Sequence, residues 1–132
     1  MSERHLAAIR AIYDAYGQGD FRSPVAYFDP QLVLIIGPGF ADPGAYVGME
    51  ELKAYTRGFL EPWGRVTIAA EEVTPLGDSV LVTVLQRGTG DSSGAVTEMR
   101  YFVLWTFRGD KAIRYETFRE RVEALRAAGQ AE

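Results

Sequence analysis

Residues 96–118, VTEMRYFVLWTFRGDKAIRYETF, contain two runs rich in β-branched and aromatic residues on either side of Arg108-Gly109-Asp110. Such runs are typical of strands, and a glycine with an aspartate between them is typical of a hairpin turn. The segment therefore predicts two antiparallel strands, Val96–Phe107 and Ala112–Phe118, joined by a tight turn.

The same strand pattern occurs twice more upstream of this hairpin. Val66–Thr74 and Val80–Arg87 flank the turn sequence Pro75-Leu76-Gly77-Asp78, and the glycine-rich segment Gly88–Gly94 separates the second of them from the closing hairpin. Leu32–Ile36 is a short, β-branched apolar run, which is typical of a strand buried on both faces. The second half of the chain therefore predicts an antiparallel meander.

Helical spacing dominates the first half of the chain. Apolar residues at three- and four-residue steps predict helices at Ser2–Tyr16 and Met49–Leu60, with a short helix at Pro24–Phe28 and another at Arg119–Ala128. Gly37–Gly48 is rich in glycine and proline and is expected to be a loop. We therefore predict an α+β fold, in which three N-terminal helices cover one face of a curved antiparallel sheet and enclose a cone.

The composition limits the class of protein. The chain has 132 residues, of which 47% are hydrophobic and 24% charged, so a single globular domain over residues 1–132 is expected and disordered or fibrous architectures are excluded. The net charge of −4 provides no basic field for phosphate groups. Nucleic acid and membrane surfaces are therefore not expected partners.

Three absences bear on location and metal chemistry. No apolar run approaches the roughly 20 residues that span a bilayer, and the first residues lack the basic and apolar pattern of a secretory signal. A cytoplasmic protein is therefore expected. With a single histidine, His5, and no cysteine, no His/Cys cluster for a metal ion is expected.

Four segments of the sequence resemble one protein family. They are Gly19-Asp20-Phe21, Phe28-Asp29-Pro30, Tyr46-Val47-Gly48-Met49-Glu50 and the closing hairpin Tyr101–Phe118. Together they resemble the SnoaL-like branch of the nuclear transport factor 2-like superfamily, whose members include ketosteroid isomerases, polyketide cyclases and limonene epoxide hydrolases. The resemblance covers nearly the whole chain and implies a cystatin-like roll with its reactive groups inside the cone.

The resemblance also implies a homodimer that packs sheet against sheet. Alternation along the long strand predicts that four side chains face the cone: Met99, Tyr101, Val103 and Trp105. Phe102 and Leu104 would then be left for the partner. The alternative is that other elements of the same chain cover Phe102 and Leu104.

The final strand carries the sharpest candidate for catalysis. In the related cyclases and epoxide hydrolases this strand supplies an acid or base carboxylate, and Glu116 lies at or within one residue of that position. The resemblance places Arg114, Glu116 and Phe118 inward, where Glu116 would move a proton and Arg114 would set its charge. The alternative is a surface salt bridge at the edge of the sheet.

Side chains expected on the inner face are candidates for binding the substrate. Gln86 ends an apolar stripe and can orient a ligand or a water molecule, although a solvent-exposed strand end is the alternative. The aromatic candidates are equally compatible with a plain core. The predicted substrate-binding residues are Tyr13, Tyr16, Tyr55, Phe59, Trp63, Val84, Gln86, Tyr101, Val103, Trp105 and Phe118.

Departures from the related enzymes narrow the predicted activity. Where the ketosteroid isomerases carry their aspartate base, this chain has Ile36 or Gly37, and where they carry the aspartate that stabilises the oxyanion it has Val103. Steroid isomerisation by that mechanism is therefore not expected. Asp42 is a candidate second carboxylate if its loop folds over the mouth of the cone, although an aspartate before a proline is typical of a turn.

Two hypotheses remain. The first is an acid–base enzyme of the isomerase, cyclase or epoxide-hydrolase type that acts without a cofactor on a small apolar substrate. The second is a module that binds a ligand or dimerises without catalysis. They differ in whether Glu116 lies in a cavity of roughly 300 Å³ or more.

Overall fold

The computed structural model describes residues 2–90 and 93–129. In chain order, the elements are α1 (Ser2–Tyr16), a 3-10 turn (Ser23–Tyr27), β1 (Phe28–Ile36), β2 (Gly44–Val47), α2 (Gly48–Leu60), β3 (Trp63–Leu76), β4 (Ser79–Gly90), β5 (Val96–Arg108), β6 (Lys111–Phe118) and α3 (Arg121–Ala127). Each predicted strand and both long predicted helices occur at, or within a few residues of, their predicted positions.

Six strands in the described part of the chain form one sheet in the order β2-β1-β6-β5-β4-β3. The four strands β3 to β6 pair antiparallel, as the hairpin pattern predicts. β1 pairs parallel with β6, so the prediction of an entirely antiparallel sheet is wrong. Parallel neighbours need a long connection, and here the intervening strands and α2 provide it.

The two faces of the sheet are covered by different helices. On one face, here called the inner face, Ile9, Ile12 and Tyr13 of α1 join a large core with residues such as Trp105. On the opposite, outer face, Ala124 of α3 packs in a smaller cluster around Leu104. The larger core therefore lies between the inner face and the helices of the first half of the chain.

The packing on the outer face contradicts the prediction that Phe102 and Leu104 of β5 are left for a partner. The alternation is confirmed for the inner side chains, since Met99, Tyr101, Val103 and Trp105 all belong to the large core. Leu104, however, is only 5% exposed, and Phe102 packs beside it in the cluster with α3. The alternative holds here, because the chain's own C-terminal helix covers the surface expected to receive a partner.

The helices also differ in detail from the prediction. The expected short helix at Pro24–Phe28 is a 3-10 turn over Ser23–Tyr27. The expected C-terminal helix is present as α3 and covers the outer face of the sheet. No helix in residues 2–90 and 93–129 is both long and apolar enough to cross a membrane.

Two predicted loops contain strand residues. The segment Gly37–Gly48 includes β2, which pairs antiparallel with β1 through Val33 and Val47. Its glycine content conceals this short strand, whose residues are largely exposed. In the predicted loop Gly88–Gly94, β4 continues to Gly90, while Asp91 and Ser92 lie outside the described residues.

Candidate functional site

A cavity of about 400 Å³ lies between α2, the segment 39–42 and the inner face of the sheet. This volume falls within the range of small-molecule sites, roughly 300–1,000 Å³. Its exposed lining residues, which include Gly39, Ala41 and Asp42, form the mouth. Aromatic side chains dominate the wall: Tyr16, Phe21, Phe28, Phe40, Tyr55, Phe59, Trp63, Tyr101, Trp105 and Tyr115.

The structure places many of the predicted substrate-binding residues at this wall. These are Tyr16, Tyr55, Phe59, Trp63, Gln86, Tyr101 and Trp105. Tyr13, Val84 and Val103 lie in the core but do not line the cavity. Sequence reasoning therefore located the wall, while binding by these residues stays a prediction.

Arg114, Glu116 and Phe118 lie on the outer face, so the prediction that they point into the cone is wrong. Glu116 pairs with Leu104 of the outer cluster, whereas its neighbour Tyr115 pairs with Trp105 of the core. Arg114 Nη2 donates a hydrogen bond of 3.0 Å to Glu116 Oε1, with 47% and 20% of the two side chains exposed. The alternative of a surface salt bridge therefore holds.

A β-bulge explains the error. Phe107 pairs with Ala112, but Thr106 pairs with Arg114, so Ile113 is an extra residue on β6. Because side chains alternate with a period of two, one extra residue moves every later side chain to the other face. Tyr115 and Thr117 therefore line the cavity. Nothing in the composition of the hairpin indicates this bulge.

Hydroxyl groups supply much of the polarity of the wall. Tyr101 donates a hydrogen bond of 2.7 Å from its hydroxyl to Gln86 Oε1, and the Tyr115 hydroxyl is hydrogen-bonded to Tyr101 in turn. Gln86 is therefore part of an internal network and not a solvent-exposed strand end. The amide, with its oxygen engaged, keeps its NH₂ donors for other partners.

Burial keeps the phenols of the cavity uncharged. Desolvation raises the pKa of Tyr16, Tyr101 and Tyr115 well above the ordinary value and that of Tyr55 to about 12. Each group is therefore protonated at neutral pH and can donate a hydrogen bond.

The segment 37–43, here called the mouth loop, is fixed to the end of β6. The Gly37 amide donates a buried hydrogen bond of 2.9 Å to Thr117 Oγ1. A Cβ atom at Gly37 would lie 2.8 Å from the Thr117 carbonyl oxygen, so this close approach requires glycine. Further along, Arg119 Nη1 donates to the Gly39 carbonyl at 3.1 Å and its guanidinium lies 5.8 Å from the Phe40 ring centroid.

The mouth loop brings Asp42 to the cavity. Asp42 has a φ of 54°, in the left-handed region, and its carbonyl accepts a hydrogen bond of 2.7 Å from the Tyr46 hydroxyl. Its negative charge contributes to the raised pKa of Tyr55. Among the lining residues that the structure describes, Asp42 is the sole acidic residue, and none is Lys, Arg or His.

Metal chemistry has no candidate cluster in the described ranges. No group of three or more His, Cys, Asp or Glu side chains there lies close enough together to hold a metal ion.

Solved structures with the same fold cover nearly all of the chain. The crystal structure of TerC co-crystallised with polyporic acid matches with a TM-score of 0.76 and 20% identity, over 96% of this chain and 99% of that one. A candidate SnoaL-like polyketide cyclase from Jannaschia sp. CCS1 matches with a TM-score of 0.74 and 20% identity, over 98% and 94%. At these identities the likeness shows the fold alone.

A third structure carries a different small molecule. A hypothetical protein from Catenulispora acidiphila DSM 44928, with a ketosteroid isomerase-like fold and in complex with trimethylamine, matches with a TM-score of 0.72 and 13% identity, over 94% and 93% of the two chains. No curated protein matches the chain in sequence.

The family itself is identified by sequence. A model of the SnoaL-like domain matches residues 9–115, which include most of the sheet and the mouth loop. The resemblance seen in the four sequence segments is thereby confirmed, and the chain belongs to the SnoaL-like family.

Proposed function

We propose that this protein binds a small, predominantly apolar molecule inside the cone. The observation that carries the proposal is the cavity of about 400 Å³, whose wall consists largely of aromatic and aliphatic side chains. Burying an apolar ligand there removes its surface from water, which is worth about 25 cal/mol per Å² before the cost of immobilisation is subtracted.

The hydroxyl groups favour a ligand with at least one polar atom. The protonated phenols of Tyr16 and Tyr55 have no hydrogen-bond partner among the described residues and can donate to a carbonyl or hydroxyl oxygen. Solved structures of the same fold contain polyporic acid in one case and trimethylamine in another. A small organic guest in the cone of this chain is consistent with both.

Binding is favoured over catalysis because the predicted acid–base pair lies outside the cavity. Glu116 and Arg114 are on the outer face and neutralise each other. An acid–base reaction in the cavity would instead depend on Asp42, the acidic residue of the described wall. The proposal therefore assigns the cone to ligand recognition, with no proton-transfer step.

The methionines provide an internal test of binding. Met99 lines the cavity, whereas Met49 packs against the core without lining it. We expect the neutral phenol 3-tert-butylphenol to shift the Met99 methyl resonance in an NMR titration and to leave that of Met49 in place. A probe of this size should bind with a Kd on the order of millimolar or tighter.

A blocking variant identifies the entrance. Ala41 lies at the mouth and Ala54 is an exposed residue of α2 that does not line the cavity. Ala41→Trp should weaken binding about ten-fold or more, and Ala54→Trp should not change it. If no small aromatic probe, neutral or charged, shifts the Met99 resonance at millimolar concentration, the proposed function is wrong.

We also propose that the protein is a homodimer through the outer face of the sheet. Because α3 covers Leu104, we place the contact at β1 and β2, where Val33 pairs with Val47 and Val47 is 49% exposed. Val47→Glu should convert the dimer to a monomer in light scattering. Val96→Glu, at a residue 58% exposed on β5, should not, and a native chain that is monomeric at high concentration contradicts the proposal.

A further inference from the structure

The described lining residues of the cavity carry negative charge and no positive charge. Among the described lining residues there is no Lys, Arg or His, and Asp42 supplies a negative charge. Arg119 places its guanidinium over Phe40 but is not itself among the lining residues. An organic anion would therefore lose its hydration without gaining a partner charge in the cavity.

The Asp42 carboxylate is available to a ligand. Its backbone carbonyl is held by Tyr46, but its side chain has no hydrogen bond or ion pair with any residue that the structure describes. Its left-handed backbone conformation is uncommon for residues other than glycine, asparagine and aspartate. The mouth loop thus carries an unneutralised negative charge to the rim of the cavity.

A row of aromatic rings leads from this charge into the cavity. Consecutive ring centroids are 4.9 Å apart for Tyr46 and Tyr55, 6.2 Å for Tyr55 and Phe59, 6.3 Å for Phe59 and Phe21, and 4.9 Å for Phe21 and Tyr16. The faces of aromatic rings carry partial negative charge and attract cations, most strongly where water is excluded. The row is therefore suited to a positively charged group near the mouth.

We propose that the ligand is an organic cation, with a tertiary or quaternary ammonium group near Asp42 and an apolar body inside the cone. This inference rests on the proposed function, because it names the class of molecule that the same cavity takes. The ammonium group gains from both the carboxylate and the ring faces, whereas a neutral molecule of the same shape gains nothing from Asp42. Because the cavity phenols are protonated and uncharged, Asp42 is the charged partner among the described lining residues.

The test compares two molecules of the same shape. The probes are 3-hydroxyphenyltrimethylammonium and its uncharged carbon isostere 3-tert-butylphenol, titrated into the full chain by calorimetry and by the Met99 methyl resonance. We expect the cation to bind about ten-fold more tightly than the isostere. Because Asp42 is exposed, added salt should reduce this ratio.

Two Asp→Asn variants test whether the preference for the cation comes from Asp42. Asn tolerates the left-handed conformation of Asp42, so Asp42→Asn removes the charge without straining the mouth loop. It should bring the affinity ratio of the two probes to within about three-fold, because it weakens binding of the cation more than binding of 3-tert-butylphenol. Asp110→Asn, at an exposed residue of the β5–β6 turn that does not line the cavity, should leave the ratio unchanged.

The outcomes separate the two proposals. If the isostere binds as tightly as the cation in the native chain, the organic-cation inference is overturned and the proposed function stands. If the cation is preferred but Asp42→Asn keeps that preference, recognition by Asp42 is overturned. If neither probe shifts the Met99 resonance, the proposed function fails with it.

Discussion

At the scale of single residues, a buried side-chain hydrogen bond fixes one residue of the cavity wall. The Trp105 Nε1–H donates a buried hydrogen bond of 2.9 Å to the Tyr13 hydroxyl, and the two rings meet edge to face. Trp105 is completely buried, so its indole N–H has no access to water. The orientation of a central wall residue thus depends on one hydroxyl group of α1.

Tyr13→Phe should therefore destabilise the protein. The substitution keeps the ring but leaves the indole N–H unpaired, which costs about 1–3 kcal/mol. Equilibrium unfolding in urea measures the loss. Tyr27→Phe is the control, because the Tyr27 hydroxyl makes no hydrogen bond with the described residues; its effect should stay within about 0.5 kcal/mol, and equal losses in both variants contradict the prediction.

Gly37 gives a second prediction at this scale. A methyl group added there meets the Thr117 carbonyl oxygen at 2.8 Å, so Gly37→Ala should move the mouth loop, cost about 1–3 kcal/mol and weaken binding of 3-tert-butylphenol. At Gly58 of α2 an added Cβ meets nothing within 4 Å, so Gly58→Ala should stabilise the helix by about 0.5–1 kcal/mol. The measurements are thermal unfolding and the Met99 titration, and an unchanged Gly37→Ala variant refutes the close approach.

At the scale of elements, α3 acts as a cover for the outer face. Ala124 is fully buried in its cluster with Leu81 and Leu104. A helix of this length is not stable in isolation, so its packing holds it in place. The cover over β4 and β5 therefore depends on a small apolar cluster, to which Leu125 of the same helix also contributes.

Ala124→Glu should detach α3. Burying an unpaired carboxylate at this contact is unfavourable, and we expect a loss of about 2–4 kcal/mol together with faster tryptic cleavage after Arg121. Ala127→Glu, on the exposed side of the same helix, should change stability by less than about 0.5 kcal/mol. Equal protease resistance of the two variants would show that Ala124 does not hold the helix.

Much of the element structure was readable from the sequence, because local periodicity and turn residues specify it. Three features were not indicated by the sequence because they depend on non-local contacts. They are the parallel pairing of β1 with β6, the short strand β2, and the bulge at Ile113. The bulge had the largest effect on the site. The bulge places Tyr115 at the cavity wall instead of Glu116. The aromatic residues of α2 and β5 do not follow a bulge, so helical spacing and strand alternation predict their positions correctly.

At the scale of the whole molecule, buried phenols couple stability to alkaline pH. Burial raises the pKa of five tyrosines, Tyr13, Tyr16, Tyr55, Tyr101 and Tyr115, and that of Tyr55 reaches about 12. An unfolded tyrosine ionises near pH 10. Above that value the unfolded state loses protons that the folded state retains, so the free energy of unfolding falls as pH rises.

We therefore expect stability from this source to be complete below about pH 10 and to be lost as pH rises through the folded pKa values. Near-ultraviolet absorbance of phenolate follows ionisation, and urea unfolding at about pH 9 and about pH 11 follows stability. A native protein in which all tyrosines ionise together near pH 10, with no change in unfolding free energy, is the contrary result.

The pairing of β1 with β6 also determines when the binding site can exist during synthesis. The Gly37 amide and the Thr117 hydroxyl, which join the ends of these strands, are 80 residues apart along the chain. While a ribosome makes the protein, Leu34 and Ile36 emerge long before the strand that completes their side of the wall. Contacts of such long range form late and slowly. The nascent chain therefore exposes the apolar lining of its own pocket until β6 has been made, and chaperones that hold apolar segments have that interval in which to act.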